Sequence, residues 1–240
     1  MPDSCISILA IVAMLLIAGF AFGLTARSGF SPRWLFVAAG LVVLNDALLT
    51  NVYGALPDLF GGSDWNWQGK LLALAATLAI ASHPAIGWQR SGLTLKQNSG
   101  SLRAAVPVVL LYCLFFLALA LSFPNEPVSG ETMAFQLTMP GFEEEPFYRG
   151  ILLLALNEAL RGRIRLLGID WGWGAVLSCV LFGLAHAFSY SAGDGFQFDA
   201  MTMALTAVPS FLGVWLRERT GSLLLPVAVH NFGNAIMSMV

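Results

Sequence analysis

Ser4-Cys5-Ile6-Ser7-Ile8-Leu9-Ala10-Ile11-Val12-Ala13-Met14-Leu15-Leu16-Ile17-Ala18-Gly19-Phe20-Ala21-Phe22-Gly23-Leu24 contains no charged side chain. A helix needs about 20 predominantly apolar residues to cross the hydrocarbon of a bilayer, so this stretch by itself predicts a membrane helix. Asp3 precedes it and Arg27 follows it. A secretory signal starts with positive charge, so the reading expects a retained helix and not a cleaved peptide.

Seven further stretches approach the same length: Trp34–Thr50, Leu71–Trp88, Ala104–Phe123, Met133–Leu160, Trp173–Tyr190, Met201–Leu216 and Leu223–Val240. Composition agrees. Of the 240 residues, 57% are AVILMFWYC and 11% are charged, with a mean hydropathy of +0.74. A soluble chain carries about 25% charge. This balance excludes a soluble enzyme and a disordered tail, and a net charge of −2 offers nothing to nucleic acid. Cys5, Cys113 and Cys179 sit in apolar runs without ligand spacing and read as packing residues. The expectation is an all-α polytopic membrane bundle of about eight transmembrane helices. It forms a single integral membrane domain over residues 1–240, with four helices in 1–131 and the polar-bearing helices in 132–240.

Loop charges then predict sidedness. Arg27 and Arg33 lie between spans one and two; Arg90, Lys96 and Arg103 between three and four. Arg161, Arg163 and Arg165 lie between five and six, and Arg217 and Arg219 between seven and eight. The alternate segments hold Asp3, Asp58, Asp64, Glu126, Glu131, Asp194 and Asp199 and, apart from Lys70 at the edge of the third span, no basic residue. The positive-inside rule puts the basic loops in the cytoplasm and both termini outside, in a multi-pass protein of the cell (inner) membrane.

Few ionisable residues remain at membrane depth: Asp46, Lys70, His83, Glu143, Glu144, Glu145, Arg149, Glu158, His186 and His230. A charge at a helix centre costs roughly 2.5–3.5 kcal/mol on insertion scales, so each needs a partner or a function. Glu145 and Arg149 are spaced i,i+4 with the acid first, the better order for a helical ion pair. That pair leaves Glu144 to another neighbour. The competing reading is that Pro140-Gly141 starts a helix whose first turn carries Glu143–Glu145 at the interface. His186 lies in an apolar helix where Gly183 and Ala185 admit a close neighbour, and is either a core residue or a catalyst. His230 and Asn234, also i,i+4, share one face and suit either an interhelical clasp or the support of a developing oxyanion. Lys70, beside Trp65 and Trp67, reads as a snorkelling interface anchor, and His83 before Pro84 as interfacial packing. Asp46 and Glu158 have no assigned role.

Taken together, Glu144-Glu145 with Arg149, Phe182 with His186, and His230 with Asn234 form an ordered set of three motifs. The set resembles the CPBP family of intramembrane endopeptidases, the CAAX prenyl protease and bacteriocin-processing (Abi) group. The likeness covers about Thr132–Val240, with support from Asn66-Trp67-Gln68-Gly69-Lys70. It implies hydrolysis of a peptide bond in a membrane-associated or lipidated protein or peptide. By that resemblance Glu144 and His186 activate water, and His230 and Asn234 form the oxyanion hole. Glu145, Arg149 and Phe182 support the site. No cofactor is expected. The alternative is a zinc site on Glu144, His186 and His230, although no His-Glu-x-x-His is present and Asn234 is a poor zinc ligand. The other classes weighed are a proton-coupled transporter and an inactive scaffold or immunity protein. A transporter predicts repeats in both halves, and residues 1–120 hold no counterpart of the polar cluster. The expected partners are a membrane protein or peptide substrate and the lipid bilayer, with no nucleic acid. One tension stands. Charge counting puts Glu144 and His186 in the outer half of the bilayer, whereas the CAAX proteases they resemble act on cytosolic prenylated tails.

Overall fold

The computed structural model describes residues 2–25, 29–123 and 125–239. The loop charge Arg27 and the end of the eighth stretch, Val240, lie outside the described residues. Ten α-helices and two small hairpins follow one another in this part of the chain. The apolar stretch at the N-terminus is α1 (Asp3–Thr25). Helix α2 (Pro32–Ala47) continues through irregular turns to Ala55. Helix α3 (Trp67–Ser82) starts at Asn66, whose side chain accepts the Gly69 N–H, and stops at His83. Pro84 follows, and the residue before a proline is pushed to extended backbone. Helix α4 spans Leu102–Ser122.

The expected single span Met133–Leu160 is corrected to a broken element. It comprises α5 (Gly130–Gln136), α6 (Met139–Glu145), a wide π turn (Pro146–Leu152) and α7 (Leu153–Ala159). Two prolines explain it. Pro140 sits in the first turn of α6, where a missing N–H costs nothing. Pro146 removes the next donor, and the helix widens around it. Gly141 is required here, because a Cβ would lie 2.5 Å from Asn231 Oδ1 and 2.8 Å from the Val227 carbonyl. Its N–H donates to Asn231 Oδ1 at 2.7 Å, joining α6 to α10 (Leu224–Ile236).

The all-α expectation is also corrected. Strands β1 (Ile164–Leu166) and β2 (Ile169–Trp171) form an antiparallel hairpin. Leu167 and Gly168 both have positive φ, as a two-residue I′ turn requires. The sixth stretch ends as α8 (Trp173–Ala187), and Phe188–Ser191 (β3) pairs with Gly195–Phe198 (β4). Helix α9 (Ala200–Thr220) follows. Against the eight spans expected, four helices among the described residues have the length and apolarity to cross a bilayer: Asp3–Thr25, Pro32–Ala55, Leu102–Ser122 and Ala200–Thr220. Trp173–Ala187 is apolar but shorter.

The core surrounds the π turn and α7, where Ile151, Leu152, Ala155, Leu156 and Ala159 are wholly buried among Leu35, Ala38 and Leu41 of α2. Apolar side chains of α1 and α4, such as Ile17 and Leu111, are exposed as a lipid-facing surface demands. The small residue Gly183 works as expected: a Cβ there would meet Met203 Sδ and Ala207 Cβ of α9 at 2.6 and 2.8 Å.

Contacts among the loops sort them into two layers. In one, Arg90 pairs with Glu158 at 2.7 Å, Asn98 N–H donates to the Thr220 carbonyl at 2.7 Å and Arg219 donates to the Gly168 carbonyl at 3.2 Å. In the other, Asp3 accepts the Ala192 N–H at 3.2 Å, Asn51 donates to Ser4 at 3.2 Å, Ser63 donates to Glu131, and Asn125 donates to the Met237 carbonyl.

Asp199 caps α9. Its carboxylate accepts the Thr202 hydroxyl at 2.7 Å and the N–H groups of Met201 and Thr202. These bonds, the Thr202 hydroxyl first, hold its carboxyl below the ordinary aspartate range. The folded state therefore binds this proton more weakly than the unfolded chain does. The cap's contribution is present above the ordinary aspartate value of about 3.9 and fades as pH falls through it. The melting-temperature gap between wild type and Asp199→Ala is expected to close on acidification; a gap constant with pH contradicts this.

Candidate active site

Five helices bring their polar side chains to one cavity of about 680 Å³. Lys70 comes from the first turn of α3, Glu144 and Glu145 from α6, and Arg149 from the π turn. Phe182 and His186 come from the last turns of α8, Ser210 from α9, and His230 and Asn234 from α10. Every sequence-predicted site residue, Glu144, Glu145, Arg149, Phe182, His186, His230 and Asn234, lines this one cavity.

The carboxylates are buried within the protein. Glu143 is 0% exposed, Glu145 2% and Glu144 9%. Met139 and Pro140 do begin the helix, as the competing reading held, but Glu143–Glu145 occupy its inner turn. The ion pair is present, with Arg149 Nη1 3.3 Å from Glu145 Oε1. The Arg149 guanidinium also lies over the Phe182 ring, 4.2 Å from its centroid. Phe182 in turn meets Tyr148 edge-to-face at 5.0 Å and His230 at 6.0 Å. The Phe182 ring is thus the apolar wall against which the cation and the imidazole are set.

The reading of Lys70 as an interface anchor is corrected. Its Nζ lies 2.6 Å from both Glu143 Oε2 and Glu144 Oε1. The Asn66 cap starts α3 one turn earlier and so aims Lys70 inward, toward α6. Lys70 is the neighbour that Glu144 required, and Glu143 is its second ligand. Nothing in local sequence distinguishes this lysine from a snorkelling one. The partner acids are 73 and 74 residues away.

Two hydrogen bonds set the imidazoles. His186 Nδ1 is 2.8 Å from the Phe182 carbonyl, which can only accept. Nδ1 therefore carries the hydrogen and Nε2 is the acceptor atom. His230 Nδ1 is 2.6 Å from Glu145 Oε1, and its Nε2 is 3.6 Å from Glu144 Oε2. Three carboxylates thus face two cations, Lys70 and Arg149, with His230 between two of the acids. One further positive charge or proton balances the cluster. Several buried polar atoms of the cavity wall, among them Glu144 Oε2, Glu145 Oε2 and Ser210 Oγ, have no hydrogen-bond partner within the described protein. Buried polar groups are normally satisfied, so such a wall suits water or a polar substrate atom. Among the described residues, no group of three or more His, Cys, Asp or Glu side chains is placed to hold a metal ion.

In comparison with known proteins, neither a curated protein nor a solved structure matches the chain. Residues 131–236 match the family model described as type II CAAX prenyl endopeptidase Rce1-like. That segment begins at the start of α5, ends with α10 and carries every cavity residue just described except Lys70. The matched segment, somewhat under half of the chain, carries the motifs that resemble the CPBP/CAAX protease family.

Proposed function

We propose that the chain is an intramembrane endopeptidase that hydrolyses a peptide bond of a membrane-associated or lipidated protein, with Glu144 and His186 activating water. The observation that carries this reading is the convergence of Glu144, His186, His230 and Asn234 from three separate regions of the chain on one cavity. His186 Nε2, free to accept, orients a water whose proton passes to Glu144. A C–O bond forms at the scissile carbonyl carbon. The charge that develops on the carbonyl oxygen falls to His230 Nε2 and the Asn234 amide. The proton then moves from Glu144 to the departing nitrogen as the C–N bond breaks. Because His230 Nδ1 lies against the Glu145 carboxylate, which accepts, Nε2 donates only when the ring carries both hydrogens.

The metal-free version is preferred over a zinc site on Glu144, His186 and His230. A Lys70 ammonium 2.6 Å from Glu144 opposes a dication on the same carboxylate. The test is purified protein in nanodiscs, assayed against single-span and lipidated peptides before and after chelation, with elemental analysis of the same sample. Cleavage by zinc-free protein is expected. Stoichiometric zinc whose removal abolishes cleavage and whose return restores it overturns the preference, and absence of cleavage in every preparation counts against the protease itself.

Lys70 is the site's positioning cation. Lys70→Met is expected to leave Glu143 and Glu144 repelling each other and to lower kcat/KM by about tenfold or more, because a carboxylate moved by 1 Å loses its near-attack geometry. Lys70→Arg is expected to recover part of both yield and rate. Wild-type kinetics in Lys70→Met contradict the assignment.

The membrane placement proposed is a multi-pass protein of the cell membrane with its basic loops in the cytoplasm.

A further inference from the structure

We infer that the cavity takes its substrate from the non-cytoplasmic side of the membrane, and that its substrates are membrane proteins whose cleavable segment lies on that side. The first clause stands on charge and geometry alone; the second rests on the proteolytic reading.

Three observations carry it. The loops divide into two layers, and the basic side chains of the described loops all belong to the layer tied together by Arg90, Asn98 and Arg219. In the opposite layer, with Asp3, Glu126, Glu131 and Asp199, the described loop residues include no lysine or arginine; Lys70, in the first turn of α3, is paired with Glu143 and Glu144. Basic residues in short loops stay cytoplasmic during insertion, so the acid-bearing layer faces the other way.

The site lies close to that acid-bearing end. His186 is one residue from the end of α8, Lys70 is in the first turn of α3, and Asn234 is two residues from the end of α10. Helix α8 enters from the arginine layer at Trp173. The thirteen residues from there to His186 span about 20 Å at 1.5 Å per residue. Two-thirds of a bilayer core of about 30 Å therefore separates the chemistry from the arginine loops.

A second cavity adjoins the site at the same end. Trp65 and Asn66 form a wall common to the catalytic cavity and to a second one of about 480 Å³. The second cavity is lined by Tyr53, Asp58, Ser63 and Asp64, which belong to the acid-bearing layer. His186, one residue from that end of α8, is itself exposed. We infer that this end is where water and an extended polypeptide enter.

The test is labelling by a membrane-impermeant maleimide in spheroplasts of a bacterial expression host, with Cys5, Cys113 and Cys179 replaced. Glu126→Cys in the acid layer is expected to react in intact spheroplasts, and Ser99→Cys in the arginine layer only after permeabilisation. The reverse pattern overturns the inference. An epitope inserted after Ser99, read in right-side-out and inverted vesicles with the native cysteines kept, decides the same point if the cysteine-free chain does not fold. Labelling reads the face whether or not the chain cleaves anything, so loss of the protease reading and loss of this one give different results. For the substrates, protein termini that appear with the wild type and vanish with Glu144→Gln are expected on the non-cytoplasmic flank of membrane segments. Termini confined to cytoplasmic tails overturn the second clause.

Discussion

Glu144→Gln is expected to reduce cleavage by a factor of about 10² to 10⁴, the usual worth of a positioned general base. The substitution keeps the side chain's volume and its reach to Lys70, 2.6 Å from Oε1, while removing the group that takes the proton. Lys70 retains Glu143 as a partner at 2.6 Å, so the fold is expected to survive. Yield and melting temperature close to wild type, with activity lost, are the pattern that separates a base from a structural acid. His186→Ala is expected to match it, and the double variant to be little worse than either alone, because the two act on one water. Additive losses, or a Glu144→Gln enzyme at wild-type rate, contradict this pairing.

Arg149→Ala is expected to have the largest effect on stability, about 3–5 kcal/mol, the cost of removing one partner from a buried ion pair. Arg149 and Glu145 are each 2% exposed, so Glu145 would keep its charge with only His230 as a partner. The guanidinium's stacking on Phe182 would be lost as well. A paired replacement, Arg149→Met with Glu145→Gln, is expected to recover much of the stability but none of the activity, because His230 then loses the carboxylate that orients Nδ1. Thermal unfolding in detergent with expression yield reads the first effect, and peptide cleavage the second. Wild-type melting of Arg149→Ala counts against the pair.

The long apolar helices α1 and α4 were legible because hydropathy and length alone specify them. The element that carries Glu144, Glu145 and Arg149 was legible in its residues and not in its course. Two prolines, Pro140 and Pro146, interrupt Met133–Leu160, and hydropathy does not register the breaks that a proline makes. The hairpins escaped for a related reason. Phe188-Ser189-Tyr190 continues the apolar run of α8, and only its pairing with Gly195–Phe198 makes it a strand. In the site, Glu145–Arg149 and the Gly183 contact followed from helical spacing, which is local. Lys70 did not, since its meaning lies in acids on another helix. His230 was placed on the correct face, but its bond to Glu145 spans 85 residues and has no local trace.

The central claim, that these four side chains form one hydrolytic site, is tested most directly by comparing membrane-protein termini in cells carrying the wild type or each of Glu144→Gln, His186→Ala, His230→Ala and Asn234→Ala. The account predicts one set of termini produced by the wild type and missing from all four variants while each variant remains inserted. The same termini persisting in any of them would contradict it.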